Sequence, residues 1–463
     1  MPLPLGSDLS PSLAELSEHL QRLLQDHLGA CSPESTRWVA CSGGMDSLLL
    51  LWVTARCCPQ QVHALHVDHG LQPDSARWAA ELAALCGQWQ VPLTAERVTV
   101  PHGSNLEARA RESRYQAFAH YLQPNDVLLL GHHRDDQLET LLLRLTRGSG
   151  LDGLAGMPAQ RPLGLGQLIR PWLTVSRHNL AALAQALDLS WQEDPSNKDL
   201  RHDRNYIRHE LMPRLRERWP GVEQTLHRTQ QHLAVASGRL RAQDSERLAE
   251  AQRADGQLAL PALWALPSLQ ERLSVLRLWL QRRGVTDISQ AQLSHLHDDV
   301  VMARQDARGR LQVQGRYLQR YRGMLYCFRP LDQPPASPQP LLGSPEQGAT
   351  AKHPGLGELR VLPAVRQVSD RRSPALSAEK LARCALTVRC RQGGERLRSA
   401  DRQRSRDLKR LLQELAVPPW LRDHLPLLYA DEQLVAVADL AIAHDWQAEP
   451  GKDGCPVRWQ PPA

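Results

Sequence analysis

Between residues 36 and 145, short apolar runs alternate with longer stretches of helical period. Runs at 36–41, 62–67 (VHALHV), 93–100 (LTAERVTV) and 127–131 (VLLLG) are of strand length. Helical stretches at 47–56, 74–89 and 105–122 lie between them, about the length a βαβ crossover requires. The pattern predicts an α/β fold, a doubly wound parallel sheet. Such sheets bind ligands at the carboxyl ends of their strands. Here those ends read SGGMDS, DHGL, PHGSN and HHRDD, so four polar loops are expected along one edge.

From about residue 224 the pattern becomes helix alone. Leu226, Leu233 and Leu240 recur every seven residues, and helical stretches follow at 268–284 and 288–304. Residues 311–328 alternate like a hairpin. The segment 329–357, rich in Pro, Gly and Ser, reads as a linker. The last hundred residues read as a small α+β domain of short strands around the helix SRDLKRLLQEL (405–415). The expected boundaries are therefore 1–220, 221–328, 329–357 and 358–463. No internal repeat is visible.

Composition sharpens this picture only a little. A chain of 463 residues with 42% hydrophobic content suits two or three globular domains. No basic segment followed by an apolar stretch opens it, and no apolar run approaches the roughly 20 residues that span a bilayer. The nine cysteines are irregularly spaced and form no Cys-x-x-Cys. That pattern suits neither a disulfide framework nor a zinc ribbon, and fits a reducing cytoplasm. Net charge is +6, and only Lys198, Lys352, Lys380, Lys409 and Lys452 among 56 basic residues are lysines. Arginine is the better ligand for phosphates and base edges, although a GC-rich genome produces the same bias.

The chemistry concentrates in two loops. In Ser42-Gly43-Gly44-Met45-Asp46-Ser47 the glycines let backbone N–H groups approach an anion, and the helix behind adds partial positive charge. Ser42 and Ser47 can add hydroxyl donors, and Asp46 can hold Mg²⁺ against phosphate oxygens. A Walker A lysine is absent. Gly148-Ser149-Gly150-Leu151-Asp152-Gly153 satisfies G-x-G-x-x-G but follows a helix instead of a strand, so it is discarded as a cofactor loop. In GHHRDDQLET (131–140), Asp136, Glu139 and Thr140 share a helix face. Asp136 and Glu139 also resemble a capping box, yet His132, His133 and three acids exceed what capping needs. His63, His66 and His69 invite a zinc reading, but strand alternation sends His66 and His69 to opposite faces.

Taken in order, SGGMDS, HVDHGL, NLEARARESRY, GHHRDDQLET, RGSGLDGLAGM and DRNYIRHELMPRL resemble the motif series of the tRNA(Ile)-lysidine synthetase family, within the PP-loop ATP pyrophosphatases. The resemblance implies a PP-loop catalytic domain over 1–220 and two tRNA-binding domains over 221–328 and 358–463. It implies that ATP and free L-lysine convert the wobble cytidine of a CAU-anticodon tRNA(Ile) to lysidine through an adenylate, releasing pyrophosphate and AMP. Ser42 to Ser47 would cradle the pyrophosphate, with Mg²⁺ on Asp46 and Asp136. Asp136 and Glu139 would receive the lysine ammonium, with Asp135 a weaker choice. His132 joins this site, while Arg111 and Arg204 would bind the lysine carboxylate or the adenylate phosphate. An alternative for Arg111 is an i, i+4 pair with Glu107. Two rivals remain: a tRNA thiolase with the same ATP loop, and a tRNA-binding protein with an inert one. No membrane is implied. Oligomeric state stays open, a homodimer included.

Overall fold

The computed structural model describes the chain except residues 1–8, 30, 33, 71–73, 101–105, 287, 305–308, 345–346, 366–374, 399–404 and 463, and the side chains of 107 and 108. The loop PHGSN, Leu71, the Glu107 carboxylate, Arg402 and Arg404 thus lie outside the described residues. The chain divides into two compact units, Met1–Arg241 and Ala242–Ala463.

The first unit runs α1 (Pro11–Leu28), β1 (Arg37–Ala40), α2 (Met45–Cys57), β2 (Val62–Asp68), α3 (Ser75–Gln88), β3 (Leu93–Arg97), α4 (Leu106–Tyr121), β4 (Val127–Leu129), α5 (Arg134–Thr146), α6 (Leu151–Leu154), β5 (Gln160–Leu163), β6 (Gly166–Ile169) and α7 (Arg177–Ala186). The strands lie in the order β3-β2-β1-β4-β6-β5. All neighbours are parallel except β5 against β6. The chain winds outward from β1 through β2 to β3, then returns to place β4 on the other side of β1. That makes β1 and β4 the topological switch point, where ligands of such sheets bind. The β5–β6 hairpin is an addition that periodicity alone did not reveal.

Both faces of the sheet are covered, which is why its strands are nearly continuous in apolar residues. On one face Val39, Ala64, Leu129 and Ile169 pack with α1, α2 and α7. On the other, Leu65, Leu128 and Leu168 meet Phe118 of α4 and Leu122 just after it. Leu49, Leu50 and Leu51 of α2 are wholly buried, and this helix is apolar on every side because neighbours surround it.

After α7 come α8 (Asp203–Tyr206), a π-helical turn (Ile207–Leu211), α9 (Met212–Arg218) and α10 (Val222–Ala251). The leucine heptad of α10 is not its buried stripe, since Leu240 is exposed. The buried positions Gln230 and Ser237 are polar and are hydrogen-bonded to Gln137 and Asp152. A pattern search that scores only apolar residues cannot see such a stripe.

In the second unit, helices Leu269–Arg282 and Gln290–Leu296 pack against a small sheet. The expected hairpin is a three-stranded meander, Arg310–Val313, Arg316–Tyr321 and Met324–Phe328, joined by Leu258–Ala259. The stretch 329–357 is not a linker throughout. Gln339–Pro340, Leu342–Ser344 and Gly348–His353 are strands of the sheets that follow, and Ala349 and Ala351 sit in their core. Small buried residues among Gly and Pro hid these strands in the composition. The arginine-rich helix spans Leu408–Glu414. Among the described residues no helix is long and apolar enough to cross a membrane.

Candidate active site

β1 ends at Ala40, and the chain turns through Ser42–Gly44 into α2. Gly43 has φ +86°, a left-handed conformation in which a side chain would be strained, and the space beside it is open. The Ser47 hydroxyl donates to the Gly44 carbonyl (2.8 Å) and lies 3.3 Å from the Ser42 hydroxyl. From outside, the Gln192 N–H donates to the Gly43 carbonyl (3.0 Å). The loop is thus tied at both ends, while the first turn of α2 presents backbone N–H groups that have no intrahelical partners. That is a cradle for an anion.

The facing wall comes from β4. Gly131 lies against Asp46 so closely that an added Cβ would sit 2.8 Å from the Asp46 carbonyl oxygen. Next comes His133, which caps α5: its Nδ1 accepts from the Asp136 N–H (3.4 Å), and the Asp136 Oδ2 accepts from the His133 N–H (3.0 Å). The capping box read in sequence on Asp136 and Glu139 lies three residues earlier: His133 is the cap and Asp136 the third helical residue, so Glu139 is outside it. The same imidazole brings the two loops together. Its Nε2 lies 3.4 Å from Asp136 Oδ2 and 3.8 Å from Asp46 Oδ2.

Behind this group stands a buried ion cluster. Arg204 reaches Asp136 (2.6 Å) and Glu139 (2.7 Å), and Arg208 reaches Glu139 (2.6 Å). Arg204 and Arg208 lie four residues apart, on α8 and the π turn after it, so they share a face. Burial opposes the charge on Asp136, but His133, Arg204 and His132 outweigh it and hold the carboxyl at about 2. Asp46 goes the other way: burial, helped by the Asp136 charge, raises its carboxyl against the pull of His133, Arg177 and Arg208. Burial drops the His132 imidazole to about 3, with Arg170, Arg204 and Arg111 adding to the effect against Asp136, so it is neutral at pH 7.

Asp135 is spent on structure. Its carboxylate accepts from the Arg177 N–H (2.8 Å) at the start of α7 and from Arg216 (3.3 Å). Arg111 stands apart from the ion cluster, with Nη2 3.2 Å from the Tyr115 hydroxyl. The three histidines of the zinc-like pattern separate: His63 bonds Thr94, His66 donates to the Cys41 carbonyl, and Arg114 donates to His69. The GSGLDG stretch is the turn after α5 and the start of the short α6, where Arg144 donates to the Gly153 and Gly156 carbonyls. Sequence reasoning counted His133 in its loop but gave it no role, and it passed over Gly131 and Arg208. His133 sits beside a residue it did choose, and Arg208 is one helical turn beyond another.

For a divalent cation the donor set is suitable. Asp46 Oδ1 is buried without a hydrogen-bond partner, and Asp136 Oδ2 approaches the same imidazole. Magnesium asks for only one or two protein carboxylates, completing its shell with water and phosphate. No group of three or more His, Cys, Asp or Glu suited to a metal occurs among the described residues.

Comparison with known proteins accords with this geometry. A PP-loop domain model matches residues 13–215, a TilS substrate binding domain model 258–326, and a TilS substrate C-terminal domain model 386–459. The tRNA(Ile)-lysidine synthase of Coxiella burnetii is 36% identical over 434 residues, covering 92% of this chain and 93% of the relative. That of Pseudomonas putida is 40% identical over 444 residues, covering 92% and 96%. That of Xylella fastidiosa is 39% identical over 412 residues, covering 88% and 90%. With a glycine-bearing loop at the switch point, two aspartates on either side of one histidine and relatives this similar along nearly its whole length, the chain belongs to the tRNA(Ile)-lysidine synthase family.

Proposed function

We propose that this ligase joins the ε-amine of free lysine to C2 of the wobble cytidine of a CAU-anticodon tRNA(Ile), using ATP. The observation that carries the reading is the meeting of Asp46, His133 and Asp136 between the phosphate loop and the acid pair. The C2 carbonyl of cytosine offers no leaving group, so it must first be activated. Attack of its oxygen on the α-phosphorus of ATP forms an adenylate and expels pyrophosphate into the cradle of Ser42–Ser47. There the backbone N–H groups of Gly43, Gly44 and Met45 and the serine hydroxyls stabilise the departing charge. Mg²⁺, held by Asp46 and Asp136, would supply further charge neutralisation on the phosphate oxygens.

The lysine amine then attacks C2 and AMP leaves. Glu139 and Asp136 receive the incoming ammonium, exchanging it against the guanidiniums of Arg204 and Arg208 that now occupy them. Arg204, once displaced, can meet the adenylate phosphate. Neutral His132 cannot repel the ammonium. Arg111 stands ready for the amino acid's carboxylate or for phosphate. Nucleoside mass spectrometry of tRNA(Ile) after reaction with Mg-ATP and lysine tests the reading. Lysidine at the wobble position is expected; an unmodified or sulfur-bearing wobble nucleoside would refute it.

A further inference from the structure

A second group of charges lies outside the ion cluster, on α4 and the β5–β6 hairpin. Arg170, only 3% exposed, follows β6 at the carboxyl end of the sheet. It spends Nη1 on the Pro158 carbonyl (2.8 Å), brings Nη2 to 3.5 Å from the Tyr115 hydroxyl, and leaves Nε buried without a partner. Arg111 also bonds that hydroxyl, and its guanidinium lies 5.0 Å from the centre of the Tyr115 ring. Arg161 lies 4.9 Å from the same ring. Three guanidiniums thus converge on one phenol. A fourth, Arg114, is one helical step away and donates to neutral His69. Among the described residues, none of the four is in an ion pair with an acid.

Like charges gathered without an acid are unfavourable unless something else neutralises them. Their effect is visible: burial and the Arg161 and Arg111 charges lower the Arg170 guanidinium despite Tyr115. Burial and the Arg111 charge do the same to Arg114. The cluster lies at the same edge of the sheet as the active site, since Arg170 follows β6, and β6 pairs in parallel with β4, whose end leads to His132. One amino-acid carboxylate needs one guanidinium. Several guanidiniums beside an aromatic ring match an RNA backbone, to which arginine bonds through paired N–H groups.

We infer that Arg111, Arg161 and Arg170, arranged around Tyr115, form an oxyanion subsite for an RNA phosphodiester beside the reacting nucleotide. This rests on the proposed function, because RNA must enter the site. The β5–β6 hairpin then has a task beyond closing the sheet: it carries Arg161 and Arg170 to the substrate.

The test uses the full chain and unmodified tRNA(Ile), with binding measured over a salt series and lysine KM in parallel. Arg161→Ala should weaken binding about tenfold and lower the slope of log K against log salt by about one. Arg161→Lys should restore the slope, and Tyr115→Phe, which removes only the hydroxyl, should weaken binding by less. Lysine KM should stay within about twofold throughout, as phosphate contacts position RNA without touching the amino acid. Unchanged affinity and slope in Arg161→Ala and Tyr115→Phe would overturn the inference. So would a raised lysine KM with unchanged RNA binding, which would make the anion the amino acid's carboxylate. Failure of the wild-type chain to bind tRNA at all would instead bring down the functional reading itself.

Discussion

Gly131 is the residue whose role is plainest, because a methyl group there has nowhere to go. Its Cβ would press on the Asp46 carbonyl oxygen and carbon, at 2.8 and 3.0 Å, and backbone cannot step aside as a flexible side chain can. Gly131→Ala should therefore displace the phosphate loop. A misplacement of about 1 Å can cost about a hundredfold in rate, so pyrophosphate release should fall by that order while tRNA binding holds. Near-normal release would show that the loop tolerates the shift. Glu139 allows a sharper separation of the two half-reactions. Its side chain is 3% exposed and bonds both Arg204 and Arg208. Glu139→Gln keeps the shape and removes the charge. A charged hydrogen bond contributes about 1.5–3 kcal/mol, so lysine KM should rise about tenfold to a hundredfold while adenylation of the tRNA continues. Loss of adenylation at unchanged lysine KM would move Glu139 to the ATP site. At this scale the sequence was most legible where chemistry is contiguous. Ser42 to Ser47 lie in one turn. Arg208 could not be read in the same way, because its partners Asp136 and Glu139 are 72 and 69 residues away.

Among elements, α5 does the most to hold the site in place. Its N-terminus carries Asp136, while the next residue, Gln137, faces the other way and clasps Met157. The Gln137 side chain donates to the Met157 carbonyl (2.7 Å) and accepts from its N–H (2.8 Å). Gln137→Leu keeps the volume but strands both backbone groups in a buried place. Each stranded group costs about 1–3 kcal/mol, so the first unit should lose about 2–6 kcal/mol in all. For a unit of this size that corresponds to a melting temperature lower by about 4–24 °C. A differential scanning calorimetry trace that does not move would show that water replaces the clasp. Strands and helices flanking the switch point were legible because β1 to β4 are short apolar runs separated by longer stretches of helical length. The β5–β6 hairpin was not, since QRPLGLGQLI mixes polar residues, glycine and proline and has no regular period. Nor was the buried face of α10, where Gln230 and Ser237 take positions that apolar residues usually fill.

At the scale of the whole chain, contact between the basic groups of the second unit and RNA can be tested directly. In the basic cluster of the last domain, Arg406 and Arg410 share Glu414, at 2.6 and 3.7 Å, and part of its charge is therefore already met. Removing everything beyond residue 330 would be a poor test. It would strip Trp420 from Phe328, whose rings stack at 5.1 Å and 7°, and leave the meander exposed. Lys409→Ala with Arg410→Ala in the full chain is cleaner. If these groups meet phosphate, the salt slope for tRNA binding should flatten by about one to two. An unchanged slope would mark them as a solvated face. The change from alternating to helical pattern near residue 224 was legible, but the strands within 339–353 were not, because short strands of Ala, Gly and Thr have the composition of a linker. The central claim is chemical, and one measurement meets it most directly. The full chain is incubated with Mg-ATP, labelled lysine and unmodified tRNA(Ile) bearing CAU, and label in RNA is counted against AMP and pyrophosphate. The account predicts one AMP and one pyrophosphate for each lysine incorporated, and little label in an initiator methionine tRNA with the same anticodon. ATP cleavage without lysine entering the RNA, or no ATP cleavage with any tRNA, would contradict it.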